Sequence, residues 1–236
     1  TSYAISTCQN LTTAGRAYYL STSPAASAGT CFNITAANIT LNCQSNWITG
    51  TGAASTYGAY SNKPNTTIKN CAIRAFQNGI YYDTAANSGL IFNNSIYNST
   101  TGTQGNGIRS FGNSVNISTN FINSSKYAGI YVDTGTSSTI EYNNITTLGT
   151  AATSLQFTTS GGLYPLNAVV RHNNITSAAT TGATVLFSGA TNAMTTRMNN
   201  TFYGNTVTVT GAITTGALLA TTVASTGNTF YNNTFK

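Results

Sequence analysis

Apolar residues recur along this chain in a short phrase of fixed internal spacing. Ile68, Ile91, Ile117 and Ile140 open it, Cys71, Asn94, Asn120 and Asn143 stand three places on, and Ile73, Ile96, Ile122 and Ile145 stand five places on. Looser copies follow at Val170, Asn173 and Ile175, at Phe202, Asn205 and Val207, and at Phe230, Asn233 and Phe235. The opening positions are 23, 26, 23, 30, 32 and 28 residues apart, which is the period range of solenoids, so each copy reads as one coil. Side chains of a strand alternate between faces. The first and last apolar residues of the phrase therefore cannot both point inward from one straight strand, and a bend must fall between them. Asparagine suits a bend because it tolerates left-handed backbone and bonds local backbone groups. Stacked at about 4.8 Å, these amides would bond one another as a structural ladder of Cys71, Asn94, Asn120, Asn143, Asn173, Asn205 and Asn233. A second phrase, at Gly58-Ala59-Tyr60, Gly79-Ile80-Tyr81, Gly107-Ile108-Arg109 and Gly129-Ile130-Tyr131, reads as a glycine turn entering another face of each coil.

No helical periodicity lasts beyond a turn, and the glycines, threonines and scattered β-branched and aromatic residues favour strands joined by turns. The expected fold is all-β, a parallel β-helix of about 8–9 coils. The unbroken period predicts one domain over 1–236, with disulfide-containing coils over 1–71, regular coils over 72–150 and longer, degenerate coils over 151–236. No apolar run is long enough for a membrane span.

Only 5% of the residues are charged, against roughly a quarter in ordinary soluble domains, so something other than charge must hydrate the surface. The nine basic residues are scattered without aromatic interleaving, which argues against nucleic-acid binding. Asn-x-Ser/Thr occurs at Asn10, Asn33, Asn38, Asn65, Asn93, Asn98, Asn116, Asn123, Asn144, Asn174, Asn199 and Asn232, and no ladder asparagine is the acceptor asparagine of such a sequon. If the ladder points inward, the neighbouring asparagines are left outward to carry covalent N-glycans, which would supply the missing hydration.

Cys8 and Cys31 are 23 residues apart and Cys43 and Cys71 are 28 apart, each about one coil. That spacing favours Cys8–Cys31 and Cys43–Cys71 bridges and an oxidising compartment; four free thiols or a metal site are the alternatives. Against a metal, no Cys-x-x-Cys pair exists, and the only histidine, His172, is far downstream. His172, Lys69 and Arg74 read as solvated surface groups, and Trp47 as packing at a coil corner. Copper is not expected of one histidine and two methionines, Met194 and Met198.

Four segments resemble a known family: Cys-x-x-Leu-x-x-x-Gly-x-x-Tyr-x-Leu at 8–20, Gly-x-Cys-Phe-x-Ile at 29–34, Asn-Ile-Thr-Leu-Asn-Cys-Gln at 38–44 and Asn-x-Thr-Ile-Lys-Asn-Cys-x-Ile at 65–73. They are similar to the right-handed parallel β-helix repeats of prokaryotic, especially archaeal, cell-surface proteins, with NosD-type and pectate-lyase-like repeats of comparable period. The resemblance implies the fold. It bears on function only weakly, because this scaffold hosts lyases, hydrolases, adhesins and structural proteins alike.

The chain has three carboxylates, Asp83, Asp133 and Glu141. Asp83 and Asp133 hold the same place in their coils, with Arg109 on the coil between. Two rungs separate them by about 9–10 Å, near the spacing of an inverting glycosidase pair. Phe111 interrupts that column, and two aspartates cannot supply the oxygens a calcium ion needs. No catalytic residue, cofactor or metal is therefore expected. Thr1 at the start fits either a trimmed piece or a mature secreted protein. The unfinished repeat at Phe235 fits either a fragment or an open rung that the next subunit continues. The expected role is a non-enzymatic structural subunit of an extracellular filament or cell-surface coat, partnered head to tail with copies of itself. A glycan-binding surface module using Tyr81, Asp83, Arg109, Tyr131 and Asp133 is the alternative, and a polysaccharide lyase or hydrolase the third reading.

Overall fold

In the computed structural model, residues 2–26, 28–97, 105–158, 166–180, 183–188, 199–211, 218–221 and 227–236 are described. All their pairing is parallel, and it builds three sheets of ten, nine and eight strands among the described residues. The first sheet runs from Ser2–Ile5 through Thr67–Lys69 and Leu90–Phe92 to Thr229–Tyr231. The second runs from Gln9–Leu11 through Tyr57–Ser61, Asn78–Tyr82, Asn106–Ser110, Ala128–Asp133 and Thr153–Thr158 to Leu218–Thr221. The third runs from Trp47–Thr49 through Ala72–Arg74, Ser95–Tyr97 and Asn144–Thr147 to Thr234–Phe235. From Thr40 on the chain visits first, third and second sheet in turn and then steps up one coil, which is the expected parallel β-helix; before that it passes from the first sheet to the second.

The apolar phrase builds the core. Ile68, Ile91, Ile117, Ile140 and Val170 stack in register on the first sheet, and Ile73, Ile96, Ile122, Ile145 and Ile175 on the third, all at most 1% exposed. The bend required by the spacing falls between them. Its left-handed residue is not the asparagine at the third place but the residue before it: Asn70, Asn93, Thr119, Tyr142, His172, Gly204 and Asn232 all have positive φ. That one residue turns the chain through the corner and aims the next side chain inward.

The inward amides form a bonded column. Asn94 Nδ2 donates to Asn120 Oδ1, Asn120 to Asn143, Asn143 to Asn173, Asn173 to Asn205 and Asn205 to Asn233, each within 3.0 Å. Each Oδ1 also accepts the backbone N–H of the coil below, as in Asn94 N→Asn120 Oδ1 at 3.0 Å. Cys71 stands at the foot of the column, with its N–H donated to Asn94 Oδ1 at 3.0 Å. Its sulfur is bridged to Cys43, and Cys8 is bridged to Cys31. Most described sequon asparagines lie outward: Asn10, Asn38, Asn65, Asn93, Asn144, Asn174, Asn199 and Asn232 are exposed and Asn33, Asn116 and Asn123 half-buried, the Oδ1 of Asn116 itself being buried, while Asn98 lies outside the described residues.

The strain of the corner is uneven. Asparagine and glycine accept φ near +55°, but Thr119, at φ 58°, is β-branched. Thr119→Gly is expected to raise unfolding stability by about 0.5–1 kcal/mol in urea titration, after the entropy a glycine adds to the unfolded chain. A loss of stability would show that the threonine side chain holds the corner.

The glycines of the second phrase are not turn residues. Gly58, Gly79 and Gly129 lie inside strands. A Cβ on Gly79 would stand 2.6 Å from Ile96 Cγ2 and 2.7 Å from the Gly107 carbonyl. They are glycine because the second sheet passes close to the isoleucines of the third. Trp47 likewise is not a corner residue: it starts a strand of the third sheet, half-buried, with Tyr97 at 5.5 Å and the Arg74 guanidinium over its ring at 4.7 Å.

Candidate functional site

The second sheet sets Tyr60, Tyr81, Arg109, Tyr131 and Gln156 in one outward column, one residue per coil. The strand alternation decides this. Ala59, Ile80, Ile108, Ile130 and Leu155 fill the core, so their neighbours in sequence must face out. Tyr60 and Tyr81 stack at 5.6 Å and 19°, with Tyr57 against both at 5.6 and 5.0 Å. Phe111 joins at 5.6 Å from Tyr81, and Tyr127 packs 6.1 Å from Tyr131. The Arg109 guanidinium lies 4.8 Å from the Phe111 ring centroid, 4.9 Å from Tyr131 and 5.6 Å from Tyr81, which bridges the rings above and below it.

The two aspartates that the sequence pairs have different surroundings. Asp83 is half-buried, accepts the Tyr60 hydroxyl at 2.7 Å and caps the next turn through Thr84 N at 2.7 Å. Asp133 is only 3% exposed. Arg109 Nη2 is 3.7 Å from its Oδ2, and its Oδ1 is buried with no hydrogen-bond partner among the described residues. Burial pushes the Asp133 carboxyl up from the usual carboxylate range to about 6, opposed by Arg109. A carboxyl shifted in this direction exchanges its proton closer to neutral pH than an ordinary aspartate does, which suits general acid–base work.

The phenols change in the same direction. Burial first, then the bond to Asp83, raises Tyr60; burial, opposed by Arg109, raises Tyr81 to about 12; burial also raises Tyr131. They stay neutral at physiological pH and offer ring faces and hydroxyl groups, not a nucleophilic phenolate. No three His, Cys, Asp or Glu side chains converge among the described residues. Met194 and Met198 lie outside them.

The structure thus gathers Tyr81, Arg109, Tyr131 and Asp133, and ties Asp83 to them through Tyr60. Sequence reading passed over Tyr57, Tyr60, Tyr127 and Gln156. Tyr60 was visible, because Gly58-Ala59-Tyr60 repeats Gly79-Ile80-Tyr81. His172 is exposed as expected but is not solvated on all sides: its ring stacks on Tyr142 at 5.2 Å and meets Tyr203 edge-on at 5.4 Å.

The described architecture and the sequence agree on a family. The family described as a right handed beta helix region matches residues 53–235. The chain belongs to the right-handed beta-helix family. No curated protein matches it. Among solved structures, this beta-helix is similar to the Dettilon tailspike protein, at 14% identity and TM-score 0.57, over 100% of this chain and 54% of that one. It is also similar to the enzymatically active domain of tailspike protein 2 from bacteriophage CBA120, at 13% identity and TM-score 0.53, over 99% of this chain and 42% of that one. The A-module of an Azotobacter vinelandii mannuronan C-5 epimerase matches at 13% identity and TM-score 0.46, over 99% of this chain and 84% of that one. The beta-helix spans about half the length of the tailspikes it matches. The expectation of a non-enzymatic protein is corrected here. It rested on the scarcity of carboxylates and on Phe111 separating two of them, yet a domain of this fold is enzymatically active. The two disulfides, with no helix long and apolar enough to cross a membrane among the described residues, fit a secreted or surface protein.

Proposed function

We propose that the outer face of the second sheet is a carbohydrate-active site. A glycan chain runs along the solenoid axis, its sugar rings against Tyr60, Tyr81, Phe111 and Tyr131, with Arg109 bonding hydroxyl or carboxylate oxygens and Asp133 exchanging a proton with the bound sugar. The observation that carries this reading is the buried Oδ1 of Asp133, unpartnered among the described residues, beside Arg109 in a row of aromatic rings. Burying such an oxygen costs free energy that folding alone gives no reason to accept, so it is the kind of group a ligand completes. Ring faces suit the apolar faces of sugars, and the charged groups fix their orientation. The enzymatic activity of the tailspike domain supports looking for turnover on this face.

The test is a panel of polysaccharides assayed for both retention and product release. Wild type is expected to bind and convert a member of the panel. Asp133→Asn should keep binding within a few-fold and lose about 10²-fold or more in kcat. Tyr81→Ala should weaken binding about tenfold or more, as loss of a stacked ring does. Binding without product in wild type would reduce the face to a glycan-binding module. No retention of any polysaccharide would remove the reading altogether.

A further inference from the structure

Six of the sequon asparagines stand in three pairs, one coil apart. Asn10 and Asn33 are Cα partners on the second sheet. Asn38 and Asn65 share the left-handed conformation, at φ 59° and 56°, and Asn65 Nδ2 donates to Asn38 Oδ1 at 2.9 Å. Asn144 and Asn174 are Cα partners on the third sheet, with Asn174 Nδ2 donating to Asn144 Oδ1 at 3.4 Å. All six point away from the core; Asn33 is half-buried and the other five are exposed. The third pair has a further property. Two places before each asparagine stands an exposed ring, Tyr142 and His172, in left-handed backbone, and the two rings stack at 18°.

We propose that the protein is N-glycosylated with one glycan per pair, never two, and that at Asn144/Asn174 the first sugar lies on the Tyr142–His172 rings. This is independent of the activity proposed for the second sheet. Modification makes a bond between the asparagine Nδ2 and the anomeric carbon of a lipid diphosphate-linked oligosaccharide. The anomeric carbon–oxygen bond breaks, the lipid diphosphate leaves, and the amide gives up one of its two protons. The disulfides belong to an oxidising compartment, where such transfer is compatible with the fold. Selection between asparagines follows from the corner geometry. The column amides Asn94, Asn120, Asn143, Asn173 and Asn205 are at most 2% exposed and none is the acceptor asparagine of a sequon, whereas the sequon asparagines beside Asn94, Asn143 and Asn173 face solvent.

Exclusion within a pair follows from spacing. Neighbouring coils are about 4.8 Å apart, which places two substituted sugars, and the chains growing from them, in one volume. The aromatic residue two places before the asparagine then gives the surviving sugar an apolar surface to lie against. Glycans on a surface with 5% charged residues also supply the hydration that charges do not.

The experiment is intact and glycopeptide mass spectrometry of the full chain secreted through a glycosylating pathway. The sequence has twelve sequons, so loss of one in each pair sets a ceiling of nine glycans. Asn144→Gln is expected to raise occupancy at Asn174, because the competing site is gone. Tyr142→Ala is expected to abolish the upfield ring-current shift of the first sugar's protons while leaving the fold's circular dichroism unchanged. A mass equal to the bare chain, a species bearing more than nine glycans, or unchanged Asn174 occupancy in Asn144→Gln would each overturn the proposal. An unshifted first sugar in the wild type would overturn the stacking on Tyr142 and His172.

Discussion

Asn120→Ala is expected to lower the unfolding free energy by on the order of 3–5 kcal/mol, although the substitution removes few atoms. Asn120 is 1% exposed, and the two N–H groups of its Nδ2 face three acceptors within 3.0 Å, the carbonyls of Ile91 and Ser118 and Asn143 Oδ1, so one N–H is shared. Its Oδ1 accepts both the backbone N–H and the Nδ2 of Asn94. Alanine takes these bonds away, although Asn143 Oδ1 keeps the Asn120 N–H, Asn94 Nδ2 the Ile68 carbonyl and the Ser118 carbonyl the Asn93 N–H. The Asn94 N–H loses its acceptor, a buried loss of about 1–3 kcal/mol to which the weakened bonds and a small cavity in the corner add. The neighbouring coils lose a shared element because the column is continuous, so Asn94→Ala combined with Asn120→Ala should cost less than the sum of the two. Exposed Asn144→Ala is the contrast and should change stability by less than about 0.5 kcal/mol. Equilibrium denaturation in guanidinium measures all of these. A cost below about 1 kcal/mol for Asn120→Ala would mean that water replaces the amide and that the column does not hold the coils together.

The coil was legible because its apolar positions are spaced by backbone geometry alone. A residue pair five apart that faces one core requires a bend, and Ile68 with Ile73, repeated at Ile91 with Ile96, can be read without coordinates. The two bridges were legible for the same reason, since a separation of one coil puts cysteines side by side. What the spacing does not encode is which residue of the corner takes the left-handed conformation. Tyr142 and His172 take it although neither is asparagine or glycine, and both stand directly before an amide of the bonded column, Asn143 and Asn173. Glycine was misread as a turn residue for a related reason. Its need at position 79 comes from Ile96 on another sheet, a contact that no local pattern reports.

The site was partly legible. The column of Tyr81, Arg109 and Tyr131 followed from the repeated glycine phrase, which also contains Tyr60. The difference between Asp83 and Asp133 did not, because both stand at the end of the same kind of strand. It arises from depth: Asp83 turns outward to its cap, while Asp133 stays under Arg109. That depth is the property that makes an aspartate chemically useful, and it bears on stability as well.

Between pH 4 and pH 6 the protein is expected to lose about 2–3 kcal/mol of stability as pH rises, the reverse of ordinary acid denaturation. The sign follows from Asp133, whose folded carboxyl titrates near 6, against about 3.9 in an unfolded chain. Within that window the folded state binds the extra proton, so stability is highest below the unfolded value and declines until the folded value is passed. The chain has two other acidic side chains, Asp83 and Glu141, so few carboxylates oppose this trend. Asp133→Asn, which keeps the shape and removes the titration, should flatten the slope and be the more stable protein at pH 7.5, with near equality at pH 4. Arg109→Met should enlarge the loss and carry it to higher pH, because the guanidinium opposes the shift. Urea titrations at several pH values measure each case, and equal slopes in wild type and Asp133→Asn would refute the assignment. If the proposed chemistry holds, the same Asp133→Asn protein gains stability while losing turnover. A carboxylate kept only for packing would show no such opposition, so the two measurements together separate a reactive group from a structural one.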